Sequence, residues 1–97
     1  MDLLVTVSTA SAAAYLEPLL QACARSGTTV QVFLTHEGVR VLEAPALSQL
    51  LQSRGDDVVA CHDSWQRYGD REPCAVVLGS QTNHSEMAGK AMRIVSL

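Results

Sequence analysis

Five short apolar runs, rich in β-branched residues and separated by polar breaks and helical periodicity, constrain this chain more than any other feature. Leu3 to Val7 is the first run, and Ser8 to Ser11 the polar stretch that ends it. From Ala12 to Ser26 the pattern turns helical, with Leu16, Leu19, Leu20 and Cys23 at the three-and-four spacing of one face and Gly27 as the stop. Pro18 lies inside that segment, so the helix either bends there or starts its regular part near Glu17. The second strand is expected over Thr28 to Leu34. Gly38 to Leu42 reads as a helical turn, and Pro45 to Ser53 as a helix with Leu47, Leu50 and Leu51 on its apolar stripe. A third strand is expected over Asp57 to Cys61 and a short helix over Ser64 to Tyr68. A fourth strand follows from Cys74 to Leu78, then a turn from Gly79 to Asn83 and a helix from His84 to Ala91. A last strand covers Met92 to Val95.

Strand–helix alternation with brief connections predicts an α/β fold, a three-layer α/β/α sandwich around a mainly parallel five-stranded sheet. Continuous apolar strands are what a sheet buried on both faces requires. Ninety-seven residues leave room for one core, so residues 1–97 are expected to form a single domain.

Composition narrows the function classes. Ten acidic residues against seven basic ones leave a formal charge of −3. Scattered arginines within that balance do not build the basic surface that nucleic acid demands, so no nucleic-acid partner is expected. The longest uncharged stretch, Leu3 to Leu16, carries Thr6, Ser8, Thr9 and Ser11 and is too short and polar to span a bilayer. Asp2 stands where a secretory signal would be positive, and the three cysteines form no CxxC pair, which together suggest reduced thiols and a cytoplasmic location. No glycine-rich phosphate loop follows the first strand.

In an open parallel sheet the functional crevice lies beyond the carboxyl ends of the strands. The residues expected there are Ser8, Thr9 and Ser11, then His36 and Glu37, then Cys61 to Ser64, then Ser80 to His84. All three histidines and one cysteine therefore fall on one rim. Cys61, between a strand end and a helix start, can face unpaired amide groups that favour thiolate over thiol. The competing reading is a buried cysteine acting as a small hydrophobe, the commoner role of a free thiol. Cys23 shares a helix face with Leu16 and Leu20 and reads as core, and nothing near Cys74 activates it. A Cys–His–Asp hydrolase from Cys61, His36 or His84, and Asp63 lacks a recognisable oxyanion loop. A metal site from Cys61, His36, His62 and His84 has suitable ligand types without a spacing signature, so no metal is assigned.

The order of these segments also carries a resemblance. Val32 to Val39 reads Val-Phe-Leu-Thr-His-Glu-Gly-Val, a strand running into a Glu-Gly-Val turn. A strand ending in Cys61 precedes Trp65 to Gly69, Trp-Gln-Arg-Tyr-Gly, and Val77 to Val95 forms a closing strand–helix–strand. In these features the chain resembles the DsrE/DsrF-like (TusD-type) sulfur-relay family along nearly its whole length. It departs in being shorter after Gly69, and in placing His62, Asp63 and Ser64 where such chains carry mostly small apolar residues. The resemblance implies a DsrE-like sandwich, assembly into trimers or hexamers, and sulfane sulfur carried as a persulfide on Cys61 and passed from a donor protein to an acceptor protein's thiol. His62, His36, Ser64 and His84 are the candidates to move protons or stabilise the anion beside Cys61. That chemistry calls for no cofactor. The alternative is a non-catalytic subunit of the same fold that binds partners or a small ligand. Apolar surface for a partner is expected around Trp65, Tyr68 or Leu42.

Overall fold

The computed structural model describes residues 1–70 and 72–97. Five strands, β1 (Leu3–Val7), β2 (Val30–Leu34), β3 (Val58–Cys61), β4 (Val77–Gly79) and β5 (Arg93–Ser96), form one sheet in the order β4-β3-β2-β1-β5. Every pairing is parallel. Four α-helices, α1 (Ala13–Ser26), α2 (Pro45–Ser53), α3 (His62–Tyr68) and α4 (Gln81–Lys90), connect them. Three 3-10 segments supplement these, the longest spanning His36–Glu43. The expected three-layer α/β/α sandwich is the observed fold.

The strands divide their side chains between two unequal faces. Val5, Val7, Val30, Val32, Leu34, Val58 and Ala60 point to the first face and pack with Leu16, Leu20, Leu47, Leu51 and Trp65 from α1, α2 and α3. The second face presents Leu4, Phe33, Val59 and Cys61 and is covered by Met87 of α4. Fully burying each of these larger side chains contributes about 1.5–3 kcal/mol, so the first face supplies most of the hydrophobic stabilisation.

Local chemistry explains the element boundaries. In α1, Leu16, Leu20 and Cys23 are the buried stripe. Gly27, at φ 74°, closes the helix, with the Thr28 amide donating to the Cys23 carbonyl at 2.9 Å. Pro18 is accommodated inside a continuous helix rather than at its start. It lies on the exposed side, and the helical bond it removes would have gone to Ala14, also exposed, whose carbonyl is left to water. The Glu-Gly-Val turn has a steric requirement: the 3-10 segment crosses the end of β1 so closely that a Cβ on Gly38 would collide with the Val7 carbonyl.

Several expected boundaries move: β2 begins at Val30 rather than Thr28, the turn expected over Gly38 to Leu42 spans His36–Glu43, β3 begins at Val58 rather than Asp57, and β5 runs Arg93–Ser96 rather than Met92 to Val95. The fourth strand starts at Val77 rather than Cys74, because its only partner is the four-residue β3, and pairing begins at Val59↔Val77. Cys74 therefore precedes the strand, and Val76 turns into the first-face core. The last helix starts at Gln81 instead of His84 because Ser80 and Asn83 form a capping box: the Ser80 amide donates to Asn83 Oδ1 at 2.7 Å, and the Asn83 amide donates to Ser80 Oγ. The third helix begins at His62, directly after Cys61.

The expected apolar patch is also displaced. Trp65 and Leu42 are buried in the first-face core and Tyr68 is half-buried. Exposed apolar surface lies instead on Tyr15 of α1 and at the sheet edges, on Val77 and Leu78 of β4 and on Met92, Ile94 and Val95 at β5. A single helix cannot cover five strands, and β5 is exposed along its whole length. No helix among the described residues is long and apolar enough to cross a membrane.

Candidate functional site

Strand order decides where a crevice opens. The helices that follow β1, β2 and β3 all pack on the first face, whereas α4, following β4, crosses the second. β3 and β4 are neighbours, with Cys61 in register with Gly79. The chain therefore leaves these two adjacent strands in opposite directions, and a gap remains between the starts of α3 and α4. This is the topological switch point at which open α/β sheets place their ligands. Cys61 sits in it.

Cys61 is the last residue of β3 and the residue capping α3, with extended backbone at φ −64° and ψ 123°. Its side chain lies on the second face, yet two clefts meet at it. One, of about 370 Å³, is bounded by Thr35, His36, Asp63, Ser64, Arg67, Tyr68 and Gln81. The other, of about 380 Å³, is bounded by His62, Asp63, Gly79, Ser80, Gln81 and Thr82. Only 6% of the residue is exposed. The thiol is thus recessed but lies on the floor of open space; Cys23 also borders a cleft, of about 480 Å³, but one at the opposite end of the sheet lined by Asp2, Leu3, Thr28, Met92, Arg93 and Val95.

Polar groups converge on the sulfur. Burial alone would push the Cys61 thiol up, but the Ser64 hydroxyl, the Ser64 amide, the Gln81 side-chain amide and the Asp63 amide outweigh that penalty. The net effect holds Cys61 below the ordinary thiol value of 9.0. Gln81 Nε2 donates to Cys61 Sγ at 3.6 Å and to Thr35 Oγ1 at 3.4 Å. Ser64 is oriented by its own partners. Its oxygen accepts the His36 amide at 2.8 Å and lies 3.4 Å from the Thr35 hydroxyl, which leaves its proton available to the sulfur. His36 itself adopts a left-handed conformation, φ 50°, unusual for a residue with a Cβ. Cys74 behaves oppositely: burial raises its thiol above the ordinary value, helped by Glu72.

The sequence-derived candidates separate by position. Cys61, Ser64 and His36 share the first cleft. His62 lies in the second, exposed, with Nδ1 3.8 Å from Asp63 Oδ1. His84 borders neither cleft. Its Nε2 lies 3.0 Å from Thr6 Oγ1 and its ring stacks on Phe33 at 4.7 Å between centroids. Starting α4 at Gln81 turns His84 onto the sheet face, where it packs rather than meets Cys61. Among the described residues no three His, Cys, Asp or Glu side chains come together as a metal site. No hydrogen bond links Cys61 to a histidine there either, so the Cys–His–Asp arrangement lacks its base.

Sequence reasoning missed Gln81 and Thr35. Gln81 stood in the polar run after the fourth strand, and the Ser-x-x-Asn spacing that makes it the first helical residue was its available signal. Thr35, buried with its hydroxyl bridging Ser64 and Gln81, gave no such signal. Comparison of the chain with protein-family models, curated proteins and solved structures finds no match.

Proposed function

We propose that this protein carries sulfane sulfur as a persulfide on Cys61 and passes it to a partner thiol. The supporting observation is the sulfur's setting: a recessed thiol held toward thiolate by Ser64, Gln81 and two backbone amides, where two clefts meet. Thiolate is the attacking species in exchange at sulfur. A persulfide formed there extends one atom beyond Cys61 Sγ, and the donors that stabilise the thiolate remain within reach of the new terminal anion. Two clefts on one sulfur suit a carrier, which must meet a donor and then an acceptor. The resemblance to the DsrE/DsrF-like family, carried by the Glu-Gly-Val turn, Cys61 and the closing strand–helix–strand, supports the same reading. It extends to a trimeric or hexameric assembly with sulfur donor and acceptor proteins in the cytoplasm.

Incubation with a persulfide donor followed by intact-mass measurement tests it. The wild type is expected to gain one sulfur atom that Cys61→Ser does not. Equal loading of both proteins removes Cys61 from the mechanism.

The exposed apolar edges at β4 and β5 favour a second reading, an assembly subunit whose Cys61 is incidental. Under that reading Cys61 alkylates no faster than a free model thiol.

A further inference from the structure

The two clefts at Cys61 differ in charge. In the first, Arg67 is exposed and makes no ion pair with any described residue. Asp63 stands four residues before it, the spacing at which helical ion pairs form. The Asp63 carboxylate, 97% exposed, lies instead 3.8 Å from His62 Nδ1, and Asp63 borders both clefts, so it does not distinguish one from the other. Arg67 is therefore the one arginine or lysine among the described residues bordering the first cleft, which it shares with Asp63, His36, Tyr68 and the uncharged groups of Thr35, Ser64 and Gln81. The second cleft has Asp63, His62 and hydroxyls from Ser80 and Thr82 and, among the described residues, no arginine or lysine, so Arg67 is the charge by which the two differ.

Spacing then limits what fits. Ser64, Arg67 and Tyr68 follow one another at i, i+3 and i+4, so they lie on one side of α3. Arg67 is six residues beyond Cys61, about 9 Å along a helix axis. A carboxylate several bonds from the transferable sulfur spans a separation of that order. The cleft's 370 Å³ falls within the roughly 300–1,000 Å³ typical of small-molecule sites, and the recessed thiol is more open to a slender molecule than to a flat protein surface.

Resting on the carrier reading above, we propose that the first cleft loads Cys61 from a low-molecular-weight organic persulfide. The donor bears a carboxylate several bonds from its sulfur, held by Arg67. Cys61 thiolate attacks the outer sulfur of R–S–SH. A bond forms between Cys61 Sγ and that sulfur, the R–S to sulfur bond breaks, and R–S⁻ leaves with the electron pair. The proton passes from the new persulfide to the departing thiolate, giving Cys61–S–S⁻ and R–SH. The donor is reduced to a thiol as Cys61 is oxidised to a persulfide, so no external oxidant or reductant enters.

Glutathione persulfide and its diethyl ester distinguish the outcomes, with loading rate against donor concentration followed by intact mass. The wild type is expected to load from the free acid roughly fivefold to tenfold faster than from the ester, the size of one partly exposed charge-assisted contact. Arg67→Gln should bring the acid down to the ester's rate and leave the ester's rate unchanged, while Arg67→Lys retains most of the preference. Equal rates for acid and ester in the wild type, or an acid rate unaffected by Arg67→Gln, overturn this donor class while leaving Cys61 as a carrier. Failure of both donors to place sulfur on Cys61 overturns the carrier reading and this inference with it.

Discussion

At the scale of single residues, the account turns on how a weak acid is made into a nucleophile without a histidine or a metal beside it. Four uncharged donors do the work that a base would otherwise do, and each is separately removable. Ser64→Ala deletes the hydroxyl that relays the His36 amide toward the sulfur. The thiol should then titrate at higher pH, so that alkylation near neutrality slows severalfold while the rate at strongly alkaline pH is unchanged. Gln81→Ala should move the profile in the same direction by a smaller step, since its contact is a single long one at 3.6 Å. Peptide mapping of the alkylated protein checks both, because Cys74, raised by burial, reacts in a separate and higher pH range. Cys61 and Ser64 were legible in the sequence because a polar cluster after a strand marks the rim of a parallel sheet. His84 was counted with them because sequence proximity to that rim does not show which side of a helix a residue occupies. One turn of α4 carries it onto Phe33 and Thr6 instead.

At the scale of elements, two devices hold the site open. The capping box fixes where α4 begins and so where Gln81 points. Ser80→Ala is expected to cost about 1 kcal/mol of stability in urea unfolding, and to lower Cys61 reactivity beyond what that loss alone explains, because Gln81 loses its anchored position. The 3-10 segment after β2 presents the His36 amide to Ser64, and it can lie over β1 only because residue 38 lacks a side chain. Gly38→Ala should destabilise the protein by about 2 kcal/mol, in the range for forced overpacking, with the Cys61 titration shifting upward as the segment lifts. The Glu-Gly-Val turn could be read from the sequence, but not the reason for its glycine, which depends on a contact with a strand 31 positions earlier. The short fourth strand was misread for a related reason: an apolar run announces burial, and only the length of the neighbouring strand limits how much of it pairs.

At the scale of the whole molecule, alternation alone was enough to foresee a parallel sheet between helical layers, since no other arrangement buries such runs on both faces. Strand order was not foreseeable, and strand order creates the crevice: only when β3 and β4 are neighbours with helices on opposite faces does a gap open at Cys61. The same topology leaves α4 to cover the second face by itself, exposing Met92, Ile94 and Val95 along one edge. Under the oligomeric reading these residues are covered by another chain. Light scattering after size exclusion should then report a trimer or hexamer, and Ile94→Lys should shift it toward monomer without altering Cys61. A monomer for the unaltered protein would rule out that part of the account. The central claim, a reachable thiolate at the switch point, is tested most directly by the pH dependence of Cys61 alkylation in the folded protein. The expected half-maximal rate falls at a pH clearly below that of an unperturbed thiol, and below that of Cys74. A Cys61 that reacts only in denaturant, or that titrates at or above the ordinary thiol value, would contradict it.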